Sequence, residues 1–261
     1  MSALYYEAHG SGRDVVLLHD LGVNLRVWDY LVRELAAHFR LIALDLPGHG
    51  RSDWDPRAST PAAQAWRVHE TLATLTGSYA LVGWSLGGQL AIDLAAALPA
   101  GISRLVLIAT TPRFLAAPGW RCGAPRPLLA RLLHRLHTEG ERVMDEFLAL
   151  QARGSAPRTA ERVLSELREA VRTHGTARLD ALVSGLARLR DGDLRRSLAL
   201  LRMPALIIAG QRDRLVRPAA ARALAAALPD ARYVQIAGAA HAPFLSHPTQ
   251  CAKVLAEFLR A

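Results

Sequence analysis

The sequence predicts an α/β fold: a mostly parallel sheet covered by helices, with a helical segment inserted between its two halves. Three observations carry that prediction. Short apolar runs alternate with helix-length segments up to Ala109, the alternation stops from about Arg113 to Leu200, and it resumes at Ala205.

The runs VVLLH (15–19), LIALD (41–45), YALVG (79–83) and RLVLIA (104–109) are continuous and apolar, as expected of strands buried on both faces. Between them, residues 27–37, 60–75 and 86–98 have helical length and spacing. Residues 113–200 carry no strand signal, only Leu-, Ala- and Arg-rich helical stretches broken at Gly140, Gly154 and Pro157, Gly175 and Gly192. ALIIA (205–209), a helix over 219–228, a strand over 233–236 and a helix over 249–259 complete the pattern. The expected division is a core of residues 1–112 and 201–261 with a helical lid over 113–200.

With 261 residues and 51% hydrophobic content the chain can bury a sizeable core, which excludes disorder. The formal charge of +9 invites a nucleic-acid reading, but Lys253 is the only lysine and the arginines are dispersed among acids, so no nucleic-acid interface is expected. Residues 113–196 hold sixteen arginines against ten acids, so the middle of the chain is basic and could steer an acidic partner. The start, MSALYYEAHGSGRDVVLLHD, lacks a charged leader with a long apolar stretch, and no segment approaches a membrane span, so a soluble, unexported protein is expected. Cys122 and Cys251 lie far apart without CxxC or Cys/His spacing, which suggests neither a disulfide framework nor zinc and fits a reducing cytoplasm.

The chemistry concentrates at GWSLG, residues 83–87, where an expected strand passes into an expected helix. G-x-S-x-G in that context is a nucleophile elbow: Ser85 sits on a strained turn, and the flanking glycines allow strand and helix to approach. The backbone N–H of Leu86, at the helix start, would face an oxyanion. A serine hydroxyl is a poor nucleophile alone and needs a general base oriented by an acid. Asp213, four residues beyond ALIIA, and His241, five beyond the 233–236 strand, follow Ser85 in the order this elbow requires. Asp191 and Asp193, in DGDL, read as a turn and helix cap; Asp45 and His49, in DLPGHGRS, read as residues that hold a loop in shape. The remaining histidines have no such constellation, and no metal or cofactor is expected. A second oxyanion donor is assigned to the backbone N–H of Leu21 in HDLG, residues 19–22, next to the awkward Asp20.

With these residues in place the sequence resembles the α/β-hydrolases, and among them the pimeloyl-[acyl-carrier protein] methyl ester esterases of biotin synthesis. DLPGHGRS and GWSLGG are shared widely among hydrolases, whereas FLALQ (147–151) and AAHAPFLSHP (239–248) are more telling. The resemblance implies a catalytic triad of Ser85, Asp213 and His241 without metal or cofactor, and a monomer. It implies a pocket lined by Leu21, Leu86, Phe147, Leu148, Ala149, Leu150 and Gln151 for the ester and acyl chain. It implies a lid whose Arg142, Arg158 and Arg162 meet an acidic acyl-carrier protein. Three positions depart from the family pattern: Asp20 stands where glycine is usual, Leu21 where tryptophan is typical, and Glu146 where a positive residue is expected. Asp20 is expected either to adopt a positive φ, as aspartate can, or to reshape its loop. The reaction implied is methyl ester hydrolysis through an acyl-serine. The rivals are a broad short-chain carboxylesterase, lactonase or carbon–carbon bond hydrolase with the same triad, and a non-catalytic ligand-binding module.

Overall fold

The computed structural model describes residues 3–261, apart from the side chain of Leu128. Among the described residues, seven strands form one sheet in the order β1-β3-β2-β4-β5-β6-β7. They are β1 (Tyr6–His9), β2 (Arg13–Leu18), β3 (Phe39–Leu44), β4 (Tyr79–Trp84), β5 (Ile102–Ile108), β6 (Ala205–Gly210) and β7 (Ala231–Ile236). All neighbours are parallel except β1, which pairs antiparallel with β3 along the edge.

Successive residues of each inner strand feed opposite faces, as strand geometry requires. Val15 and Leu17 of β2 join Val82, Trp84, Val106 and Ile108 in one core cluster, while Val16 and Leu18 join Leu81, Leu105 and Leu107 in the other. Helices α1 (Asp29–Leu35) and α10 (Pro248–Arg260) cover the first face; α2 (Pro61–Ala73), α3 (Leu86–Ala97) and α8 (Pro218–Ala226) cover the second. β4 lies at the centre of the sheet, so its C-terminal end is fixed from both sides.

Helices α4 (Pro127–Leu136), α5 (Gly140–Ala152), α6 (Pro157–His174) and α7 (Leu179–Asp191) lie in the chain between β5 and β6, which pair directly. The apolar stripes of α4, α5 and α7 meet in a third cluster with Leu21, Leu86, Leu215 and Val216, above the C-terminal ends of the strands, whereas Val163, Leu167 and Ala170 of α6 join the first core cluster. Two polar anchors tie α6 to the core. The Asn24 side chain donates to the carbonyls of Ala170 and Gly175 at 2.8 and 3.0 Å, and His174 Nε2 lies 2.8 Å from Asp45 Oδ2 in a buried pair.

The structure departs from the sequence reading in three elements. β1 is an additional strand; residues 25–28 form a 3-10 turn before α1, so the 27–37 helix is shorter and in two pieces; and a short helix α9 (Pro243–Ser246) precedes α10. Among the described residues no helix is long and apolar enough to cross a membrane.

Candidate active site

Ser85 links β4 to α3 with φ 53° and ψ −110°, a left-handed conformation that a non-glycine residue holds only where its surroundings over-determine it. The surroundings are backbone and one buried side chain, Thr110. A Cβ on Gly83 would come within 2.5 Å of Gly87 O, one on Gly87 would strike the carbonyls of Leu18 and His19, and one on Gly88 would strike Thr110. The Ser85 N–H donates to Ile108 O at 2.9 Å, and its carbonyl accepts from Gln89 N at 3.1 Å. Strand, turn and helix are thus locked together and hold Ser85 at the sheet's C-terminal rim.

Asp213 and His241 come from the loops after β6 and β7. Asp213 Oδ1 accepts the N–H groups of Leu215 and Val216 at 2.8 and 2.9 Å, and Oδ2 stands 2.8 Å from His241 Nδ1. The carboxylate is therefore oriented by its own turn and presents one oxygen to the imidazole. The His241 N–H donates to Gln151 O at 3.1 Å, and Trp84 Nε1 donates to His241 O at 2.9 Å. Phe244 stacks on Trp28 with centroids 4.6 Å apart and meets Trp84 edge-on at 4.9 Å, a rigid aromatic floor under the histidine loop. Trp84 occupies a variable position of the motif, so the pattern alone does not mark it. The Ser85 hydroxyl hydrogen-bonds to no described residue.

The 19–22 loop, expected to supply an oxyanion donor, is where expectation and structure diverge most. Asp20 is fully buried, and its Oδ1 accepts the Leu86 N–H at 3.0 Å, the donor assigned to an oxyanion. Its Oδ2 accepts from Gln151 Nε2 at 3.3 Å and lies 3.7 Å from His241 Nε2. Asp20 does not take a positive φ; Gly22 does, at 76°, so the loop bends two residues later and turns the aspartate side chain inward. His19 Nε2 accepts from Leu46 N at 2.9 Å, which leaves Nδ1 to donate to Asp20 O at 2.7 Å. Burial and the neighbouring His49 hold His19 well below the usual imidazole range, so it stays a neutral clamp on the loop. The Leu21 N–H has no hydrogen-bond partner among the described residues. For His241, burial opposes the charged ring, but Asp213 and Asp20 outweigh it and push its pKa up to about 10.

Of the residues assigned to the pocket, Phe147 and Leu150 pack in the cluster that holds Leu21 and Leu86, while Leu148 lies in the core cluster with Trp84 and Phe244. Ala149, half-buried, lies on α5 between them. Met144 presses on Gly22, and Gly185 of α7 leaves room for the Leu21 and Leu86 side chains, so both helices seat on the oxyanion loop. Of the arginines, Arg142 pairs with Glu139 and Glu146 at 3.6 and 3.5 Å; Arg162 pairs with Glu166 at 2.6 Å and donates to the carbonyls of Leu245 and Ser246. Arg158 is exposed and makes no ion pair among the described residues. Asp45 accepts from the N–H groups of Leu25 and Arg51 besides pairing with His174, and Asp193 caps Arg195 N and binds Arg113, so these acids shape loops.

The sequence matches the alpha/beta hydrolase family over residues 15–254. The chain belongs to that family. It is 41% identical over 256 residues to the pimeloyl-[acyl-carrier protein] methyl ester esterase of Xanthomonas oryzae pv. oryzae, with 98% of each chain covered. It is 38% identical over 260 residues to the esterase of that name from Yersinia pseudotuberculosis, covering 99% of this chain and 98% of the relative. The esterase EaEST from Exiguobacterium antarcticum superimposes with a TM-score of 0.88 at 22% identity, covering 99% and 96% of the two chains, which speaks to the fold alone.

Proposed function

We propose that this hydrolase cleaves the methyl ester of pimeloyl-acyl-carrier protein, releasing methanol and the free carboxylate for biotin synthesis in the cytoplasm. The observation that carries the reading is the 38–41% identity, over nearly the whole chain, to esterases of that name, in a chain that carries Ser85 on the elbow after β4 and a hydrogen-bonded His241–Asp213 pair on the loops after β7 and β6. In the scheme, Ser85 Oγ attacks the ester carbonyl as His241 Nε2 takes its proton, and Asp213 fixes the ring with the proton on Nδ1. The N–H groups of Leu21 and Leu86 hold the oxyanion, each contributing about 3 kcal/mol of barrier lowering. His241 returns the proton to the leaving methoxide. A water deprotonated by His241 then cleaves the acyl-serine.

The acyl chain would lie along Leu21, Leu86, Phe147 and Leu150 beneath the α4–α7 lid. For the carrier protein, Arg158 is the best placed of the three assigned arginines, because acids already neutralise Arg142 and Arg162. Exposed Arg212 and Arg214 add cations without ion pairs among the described residues, lining a recess of about 560 Å³ at the Asp213 loop, and exposed Arg153 precedes its Gly154 wall. The deciding experiment is complementation of a biotin auxotroph that lacks its own demethylating esterase. Growth with the wild type and none with Ser85→Ala is expected; growth with both, or with neither, overturns the assignment.

A further inference from the structure

The hydrolytic scheme gives the Asp20 carboxylate no task, yet the carboxylate sits where the scheme needs a vacant donor. A fully buried carboxylate is costly unless it is well hydrogen-bonded, and Asp20 is. It accepts the Leu86 N–H at the positive end of α3 and the Gln151 amide at the last turn of α5, and it lies 3.7 Å from His241 Nε2, within ion-pair distance of the charged ring. His19 holds its carbonyl, His49 of the loop after β3 feels its charge, and Asp213 holds the opposite edge of His241. Gln151 Oε1 is buried without a partner, so Asp20 holds that amide alone.

We propose that Asp20 is a specificity-determining latch. In the resting enzyme it fills the oxyanion hole and engages His241, so that only an ester whose remote groups bind strongly enough to displace it is hydrolysed. The inference rests on Ser85 being the nucleophile. A small aryl ester offers the lid few contacts and leaves the latch closed. A carrier-bound acyl ester offers an apolar chain to Leu21, Leu86 and Phe147 and a protein surface to the lid, and binding energy gained away from the reacting carbon is what drives such a rearrangement. As the ester carbonyl takes the Leu86 N–H, Asp20 leaves His241 Nε2, and the ring becomes a competent base.

The test compares wild type, Asp20→Gly and Asp20→Asn on p-nitrophenyl acetate and on the methyl ester of pimeloyl-carrier protein, and follows the pH dependence of Ser85 labelling by a fluorophosphonate. Asp20→Gly empties the hole; Asp20→Asn keeps the shape and removes the charge. Removing the latch raises kcat/KM for the aryl ester by about tenfold or more and for the carrier-bound ester by less than about threefold. Labelling of the wild type climbs toward pH 10, because the base form of His241 is scarce below that pKa, whereas in Asp20→Asn the rise moves down toward the ordinary imidazole range. An unchanged or equal gain on both substrates, or a pH limb that does not move, overturns the latch. Labelling absent from all three proteins removes Ser85 as nucleophile and the latch with it, whereas robust labelling with an unmoved limb defeats the latch alone.

Discussion

The sheet and the helical segment between β5 and β6 hold their shapes by different physics. In the sheet, backbone touches backbone: the elbow glycines lie against the carbonyls of Leu18 and His19, and the inner strands are buried on both faces. In the helical segment, α4, α5 and α7 share one apolar cluster, α6 packs on the first face of the sheet, and the outside is laced by partly exposed ion pairs such as Arg168–Asp145 and Arg135–Glu139. A few polar anchors fasten it to the core, among them His174–Asp45, the Asn24 amide and Gln64 Nε2 on Ser184 Oγ at 2.9 Å. The difference teaches that Ser85 is placed by a structure without slack, while the helices above it rest on contacts that can be exchanged.

Gly87→Ala breaks the first half of that comparison. Its Cβ would enter the space of two backbone carbonyls, which no rotamer change relieves. The expected loss is about 3 kcal/mol, the upper end for overpacking, read as a lower midpoint in urea denaturation together with slower fluorophosphonate labelling of Ser85. A variant as stable as wild type would mean the elbow has slack after all.

His174→Ala tests the second half. Asp45 keeps the Leu25 and Arg51 N–H groups but loses its third partner in a buried site. The expected loss is about 2 kcal/mol, with amide exchange accelerated first in α6 while β4 and β5 stay protected. Equal acceleration in sheet and helix would show that the two regions unfold as one.

How far the sequence reaches follows the same division. The inner strands are legible because both faces are apolar; β1, YEAH, is not, since an edge strand of four residues, three of them exposed, is too short for its alternation to stand out and has no apolar run. Ser85, Asp213 and His241 can be proposed from one sequence because each lies at the end of a legible strand. The Asp20 contact with Leu86 is not legible: it spans sixty-six positions and depends on which way the 19–22 loop turns a side chain. His174 and Asp45, one hundred and twenty-nine positions apart, meet only once α6 has docked. The neutralised state of Arg142 could have been read, since Glu139 and Glu146 stand three and four residues away on one helix.

The smallest expected effect sharpens the comparison from the outside of the helical segment. Arg168 donates to both oxygens of Asp145 at 2.6 and 2.7 Å, joining α6 to α5 with ideal bidentate geometry, yet both side chains are about half exposed. Water solvates each charge nearly as well when they part, and ordering two side chains offsets much of the attraction. Arg168→Ala is therefore expected to lower the unfolding free energy read from urea denaturation by less than about 1 kcal/mol and to leave Ser85 labelling unchanged. A larger loss would mean that the surface lattice, and not the apolar cluster around Leu21 and Leu86, sets the position of α5 over the site, and Gln151 would then move with it.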